Sequence, residues 1–217
     1  MRITHLGHSA VLVETDDARV LIDPGNFSEG WHGLTELDAV LITHQHPDHA
    51  DPAHLPALVA ANPDAKVYLE PSIVLAADAG RFPNIGGGAL GARGEGAGGG
   101  LLGGAGGGAH AIIHRDIPRI GNVGFVLRSE GQASLFHPGD SLAAVPAGVD
   151  ILGVPLMGPW AAMKETIDFV RAVGALEGFP IHDGLLNERG RGLIYGRVVD
   201  MTSTRMTDLR AGVTHEF

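Results

Sequence analysis

Thr43-His44-Gln45-His46-Pro47-Asp48-His49 is the stretch on which the reading of this chain turns. It follows the apolar run Ala39–Thr43, which reads as a strand, and precedes a helical pattern over Pro52–Asn62. A strand that delivers its chain into a loop at a sheet edge sets polar side chains on a rigid support. His44 and His46 are two apart and can turn to one side; Asp48 and His49 continue around the turn towards a second position. Three imidazoles and a carboxylate this close would repel one another or be desolvated without return unless a cation joined them. Neutral imidazole and carboxylate are preferred ligands of zinc and of several other divalent metals. The competing reading is an incidental histidine-rich surface loop, against which the spacing and the strand-end placement both count.

Working outward, β-branched runs at Arg2–Leu6, Ala10–Glu14 and Arg19–Asp23 precede that strand, with a hairpin turn expected at 15–17. After the helix over Pro52–Asn62, Lys66–Glu70 reads as a strand and Pro71–Ala79 as a helix. The second half repeats the pattern. Val123–Arg128, Ala133–His137, Asp150–Val154 and Phe179–His182 read as strands, Ala162–Val173 as an amphipathic helix and Leu193–Met206 as a last helix. Two such halves predict an α/β fold with two mixed β-sheets face to face and helices outside, four layers in one domain over 1–217. Residues 86–108 hold 14 glycines in 23 positions, too few side chains to offset ordering entropy, so the composition predicts a loop there.

The bulk properties narrow the function. A net charge of −10 disfavours a nucleic-acid partner, which needs clustered Lys and Arg. Zero cysteines exclude disulfides and thiolate metal sites, leaving His and carboxylate as the strong ligands. The opening residues lack a signal-peptide pattern, and the apolar stretch at 151–163 is broken by Gly153, Pro155, Gly158 and Pro159. The expectation is a cytoplasmic protein without a membrane span, acting on a small molecule, for which a homo-oligomer is compatible.

Other candidates each have a bland alternative. Asp140, after Phe136-His137-Pro138-Gly139, is a metal ligand or an ordinary turn residue. His182 is a ligand or a strand-end histidine beside Asp183. His110 and His114, four apart, share one face of an extended chain and compete for one role. His8 either enters the cleft or is buried against backbone, and Asp23 either orients a ligand histidine or merely opens an Asp-Pro-Gly turn. His137 reads as structural; Trp31, Met157 and Trp160 read as core or pocket wall; His5, His32, His54 and His215 receive no role.

The order His-x-His-x-Asp-His after an apolar strand resembles the metallo-β-lactamase superfamily. Leu6-Gly7-His8-Ser9 and Leu21-Ile22-Asp23-Pro24-Gly25 look like its ascorbate-6-phosphate-lactonase-like and phospholipase-D-like branch. His110-Ala-Ile-Ile-His114, His137-Pro-Gly-Asp140 and Pro180-Ile-His182-Asp follow in the family's order, whereas the glycine-rich stretch departs from it. The resemblance implies the four-layer αββα sandwich and two divalent ions, zinc first, with manganese or iron as alternatives. It implies one ion on His44, His46 and His110, a second on Asp48, His49 and His182, and Asp140 bridging. His110 is thereby favoured over His114, which becomes a pocket residue beside Asp23 and His8 around the ligands. The implied activity is hydrolysis of a small phosphoester, lactone or related ester, with Asp48 and His182 as catalytic candidates. A nuclease of the same fold and a non-catalytic metal-binding or sensor protein are the alternatives.

Overall fold

In the computed structural model, residues 1–73, 88–89 and 102–217 are described. The first sheet contains β1 (Arg2–Gly7), β2 (Ala10–Glu14), β3 (Arg19–Ile22), β4 (Ala39–Ile42), β5 (Lys66–Leu69), β6 (Gly88–Ala89) and β13 (Thr214–Glu216), in the order β13-β1-β2-β3-β4-β5-β6. The second contains β7 (Leu102–Ala109), β8 (Gly121–Leu127), β9 (Leu135–His137), β10 (Ile151–Pro155), β11 (Glu177–Ile181) and β12 (Arg205–Met206), in the order β12-β11-β10-β9-β8-β7. Both sheets are mixed: β3, β4, β5 and β6 run parallel, as do β9, β10, β11 and β12, while the hairpins β1–β2, β2–β3, β7–β8 and β8–β9 are antiparallel.

Alternation along the strands decides which sheet face meets which layer. Val11, Val13, Val20, Ile22, Ala39 and Leu41 of the first sheet pack with Phe125, Leu127, Leu135, Ile151, Phe179 and Ile181 of the second, forming the central core. Leu12, Leu21, Val40 and Ile42 face outward onto α1 (Leu55–Ala61) through Leu55 and Leu58. Phe136, Leu152 and Val154 do the same on the other side, against Ile167, Phe169 and Val170 of α2 (Met163–Val173) and Val198 of α3 (Glu188–Met201). Burying each such side chain contributes roughly 1.5–3 kcal/mol. The arrangement is the expected four-layer αββα sandwich. Among the described residues, no helix is long and apolar enough to cross a membrane.

Three expectations need correction. The loop predicted over 86–108 is in part strand, since Gly88–Ala89 pairs with β5 and Leu102–Ala109 with β8. Backbone hydrogen bonds to an ordinary partner strand (Gly121–Leu127) carry a glycine run that could not form a core itself. The remainder of that stretch, and the helix expected over 71–79 beyond Ile73, lie outside the described residues. The first helix starts at Leu55 rather than Pro52, because the Asp51 carboxylate takes the Ala53 N–H at 2.9 Å in a preceding turn. The last helix spans Glu188–Met201, capped by the Asn187 side chain on the Gly190 N–H; Thr202 is already extended, and Arg205–Met206 joins the sheet. The edge strand Thr214–Glu216 is too short to show in the sequence pattern.

Strand direction then places the site. The strands β1, β3 and β4 all run the same way in the first sheet, and β7, β9, β10 and β11 do so in the second. The residues just past their C-terminal ends are His8, Asp23, the 43–49 loop, His110, Asp140 and His182. Two backbone hydrogen bonds stitch the sheets together there, from Val123 N–H to Thr43 O and from His182 N–H to His8 O, both 2.9 Å.

Candidate metal centre

The loop after β4 is held from beneath. The Asp23 carboxylate accepts the Thr43 N–H and the Thr43 hydroxyl, each at 2.8 Å, and also faces His49 Nδ1 at 2.7 Å. Gly25 lies so close to the backbone of Asp48 and His49 that a Cβ there would collide with it, which explains the glycine in Asp23-Pro24-Gly25. Asp23, His8 and His182 all adopt positive φ, at 48°, 50° and 55°. Three residues that L side chains strain to place in this region therefore sit at one edge of the sandwich, as backbone strain tends to do at functional sites.

Two adjoining groups of donor atoms result. His44, His46, His110 and Asp140 form one, and His8, Asp48, His49 and His182 the other; within each, the donor atoms lie within 4.8 Å of one another. Asp140 stands between them. Its Oδ2 is 3.2 Å from His110 Nε2, 3.2 Å from His182 Nε2 and 3.6 Å from His44 Nε2, while Oδ1 faces His49 Nε2 at 3.1 Å. The ring nitrogens not turned inward are occupied: His110 Nδ1 by Ala111 O at 2.6 Å, His182 Nδ1 by Met157 O, and His49 Nδ1 by Asp23. Such outer bonds fix the tautomer that leaves Nε2 free for a metal.

Electrostatics match. Burial, reinforced by neighbouring imidazoles, holds His44 well below the ordinary histidine range and lowers His46 as well. Burial takes His8 down to about 4 despite its bond to Asp48. These imidazoles are neutral near pH 7, the form that ligates. Burial opposes ionisation of Asp140, yet His49, His182 and His44 outweigh it and hold the carboxyl well below its usual range. Asp48 is likewise lowered against burial, by His8 and His49. His49, flanked by Asp140 and Asp23, is raised well above its ordinary value although burial works against its charge. His49 Nε2 and Asp140 Oδ1 are buried and, although 3.1 Å apart, make no well-aligned hydrogen bond with each other or with any other of the described residues. Orphaned atoms of this kind are costly, and a divalent cation between them would satisfy both while displacing the His49 proton. The residues fit a metal.

Residues 2–182 match the family model described as the beta-lactamase superfamily domain. The chain belongs to the beta-lactamase superfamily. It is a metal-dependent hydrolase by class, with the metallo-β-lactamase fold. Protein Rv0786c of Mycobacterium tuberculosis is 42% identical over 208 residues, covering 94% of each chain. A UPF0173 metal-dependent hydrolase of Mesorhizobium japonicum is 49% identical over 55 residues, 23% of each. Among solved structures, the metallo-beta-lactamase fold protein YhfI from Bacillus subtilis is similar with a TM-score of 0.69 at 15% identity, over 99% of this chain and 98% of that one.

Within this superfamily fold, His44, His46, Asp48, His49, His110, Asp140 and His182 are brought together, with Asp23 and His8 directly behind them. His114 is not. It is exposed and pairs with Asp116 at 3.6 Å, because the chain leaves the strand at Ala109 and bends near Ile113, so the extended-chain spacing of His110 and His114 does not apply. His137 is structural, bonding Ser9 O at 3.1 Å. Sequence reasoning gave Trp160 only as core or pocket wall, without the indole N–H that donates to Asp140 Oδ2 at 2.8 Å, and missed Asn122, whose Oδ1 takes the Asp140 N–H at 2.9 Å. Neither lies in a motif. Only the preference of a buried indole N–H for a partner hinted at the first.

Proposed function

We propose that the chain hydrolyses a small phosphoester, lactone or related ester, as an ascorbate-6-phosphate-lactonase-like or phospholipase-D-like member of the superfamily. The observation that carries this reading is Asp140, one buried carboxylate standing among imidazoles of both sets, with Oδ2 beside His44, His110 and His182 and Oδ1 beside His49. His44, His46 and His110 would hold one divalent ion, Asp48, His49 and His182 a second, and Asp140 would span both, as a single imidazole nitrogen cannot. Bound there, a pair of divalent ions (zinc in the first instance, manganese or iron otherwise) supplies an ionised water near neutral pH and a Lewis acid for the scissile group's oxygen.

The chain's own groups do the rest. Asp48 is the most solvent-reaching member of its set, with a side chain 20% exposed, and its lowered pKa keeps it ionised. Ionised, it can accept a hydrogen bond from the attacking water, align it and relay that water's proton to the leaving-group oxygen. His8 accepts the Gly184 N–H on Nδ1 at 3.1 Å, so its Nε2–H donates to Asp48 at 3.1 Å and fixes that carboxylate. His182 stands 3.7 Å from Asp48 on the same side, which suits it to the reacting group as well as to a metal. Beside His46 and His110, Ile112, Ile113, Ile117, Pro118 and Arg119 line a small hollow of about 20 Å³, space for about one water.

Metal-loaded protein assayed on an aryl phosphodiester, an aliphatic lactone and single-stranded RNA, with Asp140→Ala in parallel, tests the reading. Turnover of one of the small esters, lost together with metal in the variant, is the expected result. Turnover confined to RNA would make the chain a nuclease, and full metal content without turnover a binding or sensor protein.

A further inference from the structure

His32, Asp51 and His54 lie outside the central cluster, yet their donor atoms also fall within 4.8 Å of one another. The Asp51 carboxylate is buried at 3% exposure and anchored: one oxygen takes the Ala53 N–H at 2.9 Å, and the other faces His54 Nδ1 at 2.6 Å. His54 thus offers Nδ1 beside the carboxylate, where a shared ion would take the place of the proton between them. His32 packs against it with ring centroids 4.4 Å apart and planes tilted by 31°, and is itself braced edge-on by the buried Trp31 at 4.4 Å. Two exposed imidazoles leaning together over one fixed carboxylate form a ready-made N,N,O face.

We infer that His32, Asp51 and His54 form a separate surface site for a borderline divalent cation such as zinc or copper. Nitrogen donors select these ions over magnesium and calcium. Zinc bonds of about 2.0–2.1 Å require ligand atoms roughly 3.3 Å apart in a tetrahedral set, a contraction the two exposed side chains can make by rotation about their own bonds. With three protein ligands, the fourth position stays open to water. The partial positive charge at the start of α1 opposes a cation and Asp51 offsets it, so this site is weaker than the central one.

The site also has a structural consequence. Asp51 donates its N–H to Pro24 O at 3.0 Å, next to the Asp23 that holds His49. An ion bridging the His32 loop to Asp51 and His54 therefore braces the outer side of the segment that carries the central donors. The sequence alone gave His32 and His54 no role because they are 22 residues apart and belong to no motif.

The test is a calorimetric titration of zinc into the full chain, purified without chelator, beside His32→Ala and His32→Ala/His54→Ala. Both substitutions are at exposed positions and leave the core intact. The wild type is expected to take up one further, weaker equivalent per chain. That equivalent weakens by at least about tenfold in the single variant, since loss of a ligand costs no less than loss of an outer partner, and is absent in the double variant. Tightly held metal and ester turnover stay unchanged in all three proteins. Superimposable isotherms for the three proteins would overturn the inference, whatever the central cluster binds.

Discussion

The loop at 43–49 brings four donor side chains to the cluster from a single strand end. The second sheet supplies its three from three separate strand ends, with His110 and His182 lying 30 and 42 residues from Asp140. The first set depends on local geometry: Asp23 beneath the loop, and Gly25 allowing its backbone close. The second depends on the register of β7, β9 and β11 and on the packing of one sheet against the other. Asp140 is the residue at which the two sets meet. The comparison teaches that half the site needs only a compact motif and the neighbouring strand end beneath it, while the other half exists only once the whole sandwich has formed.

Substitutions sort by how directly they touch that meeting point. Asp140→Ala severs both sets and should show the largest effect, a loss of turnover of about a thousandfold, equivalent to several kcal/mol of charge stabilisation. Steady-state kinetics with metal analysis checks it; retained metal and near-native turnover would mean that the two sets are independent. Asp23→Asn leaves the dispersed residues untouched and loosens only His49 and the loop. Metal affinity should fall about 10- to 100-fold, measured by competition with a chromogenic chelator. Trp160→Phe removes one N–H from Asp140 on the second sheet's side, and turnover should fall about tenfold with little change in fold. His114→Ala, at a side chain 59% exposed and outside both sets, should leave turnover within about twofold. A large loss there would show that the second sheet's contribution extends beyond the donors described.

The same contrast explains what could be read beforehand. His44, His46, Asp48 and His49 were legible because spacing, strand end and residue type all lie within seven positions. The sandwich was legible because alternating apolar runs recur in both halves, and the observed strands begin and end within two residues of most of the expected ones. Asp140 and His182 gained meaning only from motif order, since an Asp after Gly and a strand-end His are ordinary in isolation. The choice between His110 and His114 needed the bend after Ala109, and Trp160 needed its tertiary contact with Asp140. Leu102–Ala109 defied composition altogether, because pairing with β8, not its own side chains, makes it a strand.

Anomalous diffraction from crystals of the metal-loaded protein, recorded across the absorption edge of the bound metal, bears most directly on the idea that this edge of the sandwich is a two-ion centre. Two peaks about 3.5–4 Å apart, one beside His44, His46 and His110 and the other beside Asp48, His49 and His182, with Asp140 touching both, are the predicted result. Crystals soaked in excess metal that show no peak among these seven side chains would contradict it.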